Sequence, residues 1–165
     1  MISLENSFEL KERLEKAIDK YSVTLVKLIF TYVKSLHEAE DIAQEVFLAY
    51  FQKAPSFESQ EHEKAWLIRV AINKSKNYLK SGFFKSLNPI PEDLSYLPKE
   101  EEELIDAVLS LDLKYRTPVH LYYYEGYSIN EIAEILKEKS STISTRLSRG
   151  RKILMSQLGG MINEY

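Results

Sequence analysis

The sequence predicts an all-α protein of two small helical domains joined by a flexible, acidic, proline-containing linker. Three observations carry this expectation. Apolar residues recur at three- and four-residue steps along nearly the whole chain, the period of one helix face, and no run alternates as a strand would. Five Gly and five Pro in 165 residues are too few for a turn-dense β fold or for Gly-rich cofactor loops. Three of the five prolines, Pro89, Pro91 and Pro98, fall in one acidic stretch between two helical halves.

The elements follow in order. Leu10, Leu14, Ala17, Ile18 and Tyr21 make the stripe of a first helix, and Leu25, Ile29, Tyr32 or Val33, and Leu36 that of a second. Ala39, Ile42, Ala43, Val46, Phe47 and Tyr50 form a third, stopped by Pro55. A fourth runs from about Lys64 to Ser81, with Leu67, Val70, Ala71 and Leu79 inward and Gly82 as its stop. These four make the expected first domain, residues 1–84. Residues 85–102 read as the linker, because structureless loops of that length are uncommon inside compact domains. The second domain, 103–165, opens with a helix marked by Leu104, Val108 and Leu111. Val119, Tyr122 and Tyr123 mark the next, with Pro118 in its first turn and Gly126 at its end. Ser128-Ile129-Asn130-Glu131 has the capping-box pattern and starts a short helix with Ile129, Ile132, Ala133 and Leu136 inward. A polar break at Lys137-Glu138-Lys139 precedes Ser140 or Ser141 as a second cap, and the last helix buries Ile143, Leu147, Leu154 and Leu158.

The formal net charge is −3, which on its face argues against a nucleic-acid binder. Its distribution argues otherwise. Residues 1–81 are neutral, residues 82–106 carry −5, and residues 107–165 carry +2. The span from Lys64 to Lys85 holds six basic residues and no acid, and the span from Lys139 to Gln157 holds five and no acid. Two basic helices on an acidic tether suit two contacts with one polyanion. There is no Cys, which excludes disulfides, thiolate chemistry and Cys-ligated zinc. The most apolar stretch, Val23 to Val33, is broken by Lys27 and is shorter than the roughly 20 residues of a bilayer span. The N-terminus lacks the basic region and apolar core of a signal peptide, so a cytoplasmic location is expected.

Residues 128–154 form a short helix, a tight break and a longer basic helix, the pattern of a helix-turn-helix. With the apolar stripe removed, Ser141, Thr142, Ser144, Thr145, Ser148, Arg149 and Lys152 remain on the outer face of the last helix. Small hydroxyl residues let a helix approach phosphates and base edges, Arg149 can pair with guanine through two donors, and Lys152 suits a phosphate. So many Ser and Thr are unfavourable inside a helix, which suggests that the face serves contact and not helix stability.

Several ordered strings then matter together: Asp41-Ile42-Ala43-Gln44-Glu45-Val46-Phe47, Ala65 to Asn73, and Lys76-Asn77-Tyr78-Leu79. The second half adds Leu111 to Arg116, Tyr124-Glu125-Gly126-Tyr127-Ser128, Glu131-Ile132-Ala133, and Thr145 to Lys152. In this order and spacing, over about residues 8–158, the chain resembles the extracytoplasmic-function group of bacterial RNA polymerase sigma factors. The resemblance implies a region 2 domain and a region 4 domain. The third helix would dock on the clamp helices of the polymerase β′ subunit through Asp41, Gln44, Glu45 and Leu48, which fall at i, i+3, i+4 and i+7. The fourth would face the −10 promoter element with Arg69, Asn73, Lys76 and Lys80. Trp66 either braces the opened strand by stacking or is packed inside. The loop from Phe57 to Glu63 would hold a flipped base. The last helix would read the −35 element, Arg146 joining the outer-face residues, with basic residues near it approaching the β flap. The linker would mimic nucleic acid near the active-centre channels, and an anti-sigma factor, often membrane-linked, would mask the polymerase-binding faces.

The chain departs from the family's pattern at Glu63, where an aromatic is frequent, at Asn77, where Asp is common, and at Gly150, where Ala is usual. No catalysis, cofactor, metal or membrane insertion is expected. His37, His62 and His120 lack ligand spacing, and Asp41 with Glu45 has no third ligand. Two alternatives remain at this level. One is a regulator that binds duplex DNA without polymerase; the other is a mimic that only sequesters an anti-sigma factor. A binding assay with and without core enzyme separates the former; the latter would keep the Asp41–Leu48 face but not need Asn73 or Arg149.

Overall fold

The computed structural model describes residues 4–81 and 98–159. The expected linker lies largely outside them, at 85–97, as do the Gly82 stop and residues 160–165. All regular structure among the described residues is helical, and the chain divides into two compact units, 1–90 and 91–165.

In the first unit α1 spans Leu4–Val33, α2 Leu36–Lys53 and α3 Gln60–Lys80. Helix α1 packs on both others, which also meet each other. Where two helices were expected over residues 10–36, there is one helix of 30 residues and then the start of the next. Ser22-Val23-Thr24 has modest helix propensity but no Gly or Pro. The buried stripe runs through it without a break, as Ala17, Tyr21, Leu25, Leu28, Ile29 and Tyr32, so packing carries the helix across. It ends at Lys34, whose left-handed φ of 58° closes it. Leu36, expected inward, is the first residue of α2 and is 46% exposed. Ser35 caps α2 by accepting from the Glu38 N–H at 3.4 Å, and left-handed Ala54 ends it one residue before Pro55.

Helix α3 begins four residues ahead of the expected Lys64. Ser59 caps it by accepting from the His62 N–H at 3.0 Å, and Glu61 and Glu63 sit in a first turn that favours negative charge. The expected 57–63 loop is therefore half helix, and the true connection is Ala54–Ser59. The core joins Leu25, Leu28 and Ile29 of α1 to Val46 and Tyr50 of α2 and Leu67 and Ile68 of α3.

In the second unit α4 spans Lys99–Ser110, α5 Leu113–Val119, α6 Ile129–Leu136 and α7 Ser140–Leu158. Helix α4 takes in residues 99–102, expected in the linker. Glu100, Glu101 and Glu102 occupy its first turn, where acids complement the helix dipole. Leu104, expected inward, is 45% exposed, and Ala107 is the buried residue instead. Helix α5 begins at Leu113, so Pro118 lies in its interior and not in its first turn. Pro118 has no N–H to give, and beyond Val119 the helix widens into a π turn, His120–Tyr124, closed by Glu125 N–H donating to the His120 carbonyl at 3.2 Å. Buried Arg116 donates from Nε and Nη2 to the Leu111 carbonyl at 3.2 and 3.1 Å, tying α5 to the end of α4.

The capping box at α6 forms. Ser128 Oγ accepts from the Glu131 N–H, and Glu131 Oε1 accepts from the Ser128 N–H, both at 3.1 Å. Lys137, with φ of 56°, makes the left-handed turn between α6 and α7. The N-cap of α7 is Lys139, and the expected caps Ser140 and Ser141 lie inside the helix. Helix α7 is the centre of the unit, packing on α4, α5 and α6.

Two substitutions test these local rules. Ser128→Ala removes a cap and is expected to lower the stability of the second unit by about 1 kcal/mol. Lys137→Gly relieves a left-handed non-glycine residue and is expected to raise it by about 0.5–1 kcal/mol. Chemical denaturation of the full chain checks both, with the change read at the second unit's transition.

Candidate functional site

The outer face of α7 is built by subtraction. Ile143, Leu147, Gly150 and Leu154 are buried, which turns Ser141, Ser144, Thr145, Ser148, Arg149 and Lys152 into solvent. Thr142 and Arg146 are half-buried. Arg146 Nη1 lies 3.5 Å from Glu138 Oε1, so its charge is partly engaged.

Two grooves flank this face. On one side Lys114 and Tyr115 of α5 stand opposite Ser141, Thr145 and Arg149. On the other, Tyr122, Ser128 and Asn130 stand opposite Ser140, Ser141 and Ser144, and Ser140 Oγ donates to Asn130 Oδ1 at 2.8 Å. Lys114, Tyr122 and Asn130 were missed by sequence reasoning. Each belongs to another helix or turn, and only the packing brings it beside α7.

The tyrosines at 122–124 correct a second expectation. Tyr122 and Tyr123 mark the apolar stripe of their helix in the sequence, but Tyr122 is 36% exposed, Tyr123 54% and Tyr124 66%. The π turn gives the core positions to His120 and Leu121, and the extra residue per turn swings the tyrosines outward. Tyr124 stacks on His120 with ring centroids 5.2 Å apart, and the Arg151 guanidinium lies 5.9 Å from the Tyr123 centroid. Tyr127 is half-buried.

In the first unit the outer face of α2 carries Asp41, Gln44, Glu45 and Leu48 together, all exposed. His37 Nε2 sits 3.5 Å from Asp41 Oδ2 one turn before. Phe51, one turn beyond Leu48 and 42% exposed, extends the apolar end of this stripe. Its i+3 spacing from Leu48 was a usable signal.

On α3, Asn73, Lys76 and Lys80 are exposed in one line. Arg69 is half-buried, and its Nε is enclosed with no hydrogen-bond partner among the described residues. Trp66 is half-buried and packed: its ring meets Tyr50 edge-on at 5.9 Å and Phe57 at 5.9 Å. Phe57 also meets Tyr50 at 5.9 Å and His62 at 5.3 Å, so the Ala54–Ser59 loop lies on an aromatic floor.

Glu63 explains its departure from an aromatic. Its Oε2 accepts from the Tyr50 hydroxyl at 2.8 Å. Burial, then the Glu63 hydrogen bond, then the Glu63 charge push the Tyr50 phenol up to about 12, against a smaller opposing effect of Arg13.

The Sigma-70 region 2 family matches residues 17–82, and the Sigma-70 region 4 family matches residues 101–154. The chain is 30% identical over 161 residues to the ECF RNA polymerase sigma factor SigW of Bacillus subtilis, covering 86% of each chain. It is 27% identical to RNA polymerase sigma factor SigV of the same organism, covering 90% of this chain and 92% of that one. Among solved structures, the fold is similar to the sigma factor RpoE of the Bartonella quintana complex with anti-sigma factor NepR, with TM-score 0.71, 20% identity and coverage of 90% and 98%. It is also similar to CnrH in complex with the cytosolic domain of CnrY, with TM-score 0.70, 19% identity and coverage of 92% and 90%. With both sigma regions in order and a close relative matched over most of either chain, the protein belongs to the extracytoplasmic-function sigma factors and is a promoter-specificity subunit of bacterial RNA polymerase, not an enzyme.

Proposed function

We propose that the residues divide the work of initiation as follows. The α2 stripe of Asp41, Gln44, Glu45 and Leu48, extended by Phe51, engages the β′ clamp helices. The α3 line of Asn73, Lys76 and Lys80, with Arg69, and the Ala54–Ser59 loop read and open the −10 element. The outer face of α7 reads the −35 element in the major groove, helped by Lys114, Tyr122 and Asn130. The observation that carries this reading is the exposure of an acid-free polar and basic face on one helix of each unit.

The chemistry of each face fits its task. Asn73 offers a donor and an acceptor to a base edge, and Lys76 and Lys80 offer point charges to phosphates. The serines of α7 keep its first turns slim enough to approach DNA, and Arg149 supplies a two-donor fork. Free protein binds promoter DNA weakly, because each face neutralises few phosphates. Bound to core enzyme through α2, the two faces act on one promoter, and the second contact becomes intramolecular. Opening is driven by capture of an unpaired base on the aromatic floor and not by nucleotide hydrolysis. The protein acts in the cytoplasm; no helix among the described residues is long and apolar enough to cross a membrane.

An anti-sigma factor controls access to these faces. Support comes from the two similar folds, one solved with the anti-sigma factor NepR and the other with the cytosolic domain of CnrY.

Three substitutions separate the roles in transcription reconstituted with core polymerase. Glu45→Lys is expected to weaken core binding on the order of tenfold or more and to lower initiation on all promoters alike. Arg149→Ala is expected to cost about 1–3 kcal/mol on the preferred −35 sequence and to relax preference at one base pair. Lys152→Ala is expected to weaken all sequences evenly and to reduce the salt slope by about 1. A face whose substitution changes none of these readouts is not the contact proposed for it.

A further inference from the structure

The Ala54–Ser59 loop is short, begins at a left-handed alanine, and has a proline as its second residue. Its C-terminal half is held locally: the Glu58 N–H donates to His62 Nδ1 at 3.2 Å, and Ser59 caps α3. Its N-terminal half is held from elsewhere. Arg13 of α1 donates from Nη2 to the Pro55 carbonyl at 2.6 Å and lies 3.3 Å from the Tyr50 hydroxyl. The same guanidinium sits 5.6 Å from the Tyr50 ring centroid and 6.0 Å from that of Phe57. Tyr50 is fully buried, and its hydroxyl donates a hydrogen bond to Glu63 of α3. One planar cation thus joins α1, the end of α2, the loop backbone and the loop's aromatic residue, and through Tyr50 it reaches α3.

We propose that Arg13 is a positioning residue for promoter reading: by fixing the Pro55 carbonyl and the Phe57 ring against Tyr50, it sets the shape of the loop that accepts an unpaired base of the −10 element. This rests on the assignment of the loop to that base under the proposed function. Arg13 itself touches no base. It lies before residues 17–82, the segment matched by the region 2 family, and 37 and 42 residues from its two partners, so no sequence motif connects it to the loop. The guanidinium suits the task because its fixed fork can hold a carbonyl while its face lies on aromatic rings, which an ammonium does less well.

The consequence is selective. A loosened loop should still admit a base, but it should distinguish among bases less sharply, since discrimination depends on groups held close to their productive geometry. Core binding through α2 and −35 contact through α7 do not involve Arg13.

The test uses full-length protein, core polymerase and promoters varied at each −10 position. Arg13→Met is expected to reduce the ratio of initiation between preferred and disfavoured bases about tenfold at one or two adjacent positions. Initiation on the preferred promoter should fall less than about threefold, with core affinity unchanged. Arg13→Lys, which keeps one donor for the Pro55 carbonyl, should recover part of the ratio. An unchanged ratio in a folded Arg13→Met protein overturns the proposal. So does an equal loss on every promoter that follows the fall in melting temperature, because that is a structural role alone. Phe57→Ala and Asn73→Ala in the same assay keep the two ideas apart. If they alter base preference and Arg13→Met does not, only the positioning role fails. If none of the three does, the assignment of the loop and α3 to the −10 element fails with it.

Discussion

Helix α7 is the centre of a core and must still leave one face free, the face proposed to read DNA, and the second unit is arranged around that constraint. Its inward residues Ile143, Leu147, Gly150 and Leu154 follow spacings of four, three and four, which leaves one continuous outer strip. Gly150 is the critical member. A Cβ there would come within 3.1 Å of Val119 Cγ2 and 3.4 Å of Tyr115 Cβ, so the glycine leaves room for α5 to lie against α7. That approach brings Lys114 and Tyr115 to the edge of the outer strip, beside Arg149. A packing device on the buried side thereby shapes the surface on the exposed side.

The first unit solves a related problem with a buried hydroxyl. Tyr50 fills space among all three helices, but its oxygen needs partners away from water. It finds them in Glu63 of α3 and Arg13 of α1. An aromatic at position 63 would leave that oxygen with one fewer partner. The same pair of charges, one on each side of a phenol, accounts for the opposed effects on its ionisation, with burial and the carboxylate prevailing. The departure at Glu63 is thus a consequence of Tyr50 and Arg13 lying where they do, and the acid is engaged in the fold instead of facing a phosphate.

What the sequence made legible was whatever depends on local periodicity. The faces of α2 and α7 emerge from three- and four-residue spacing: Asp41, Gln44, Glu45 and Leu48 are exposed together, and so are the outer residues of α7 apart from half-buried Thr142 and Arg146. The capping box at Ser128 was legible for the same reason. Signals failed where distant packing overrules local preference. Ser22-Val23-Thr24 looked like a break because nothing local shows that Tyr21 and Leu25 share one buried stripe. Tyr122 and Tyr123 looked buried because they fall on a regular helical period from Val119, and a wider turn moves them outward. Periodicity left Trp66 between stacking and packing because nothing local shows that its ring meets both Tyr50 and Phe57, which also meet each other. Arg13 had no local signal at all.

The net charge of −3 illustrates the same distinction between a total and its placement. Several of the acids serve helices: Glu100 to Glu102 at the start of α4, Glu61 and Glu63 at the start of α3, and Glu131 in its capping box. Bases collect on exposed strips, at Lys76 and Lys80 and again at Arg149 and Lys152. Each strip is small, and counterion release from so few phosphates gives little affinity at physiological salt. Weakness is useful in a specificity subunit. A protein that gripped promoters alone would occupy them without polymerase, whereas under the proposed assignment two weak faces become selective only when a third, the acidic stripe of α2, joins them to an enzyme. If the proposed roles hold, this charge plan places DNA recognition under the control of a protein contact, so a partner that covers the α2 stripe would silence the basic strips even where it leaves them exposed.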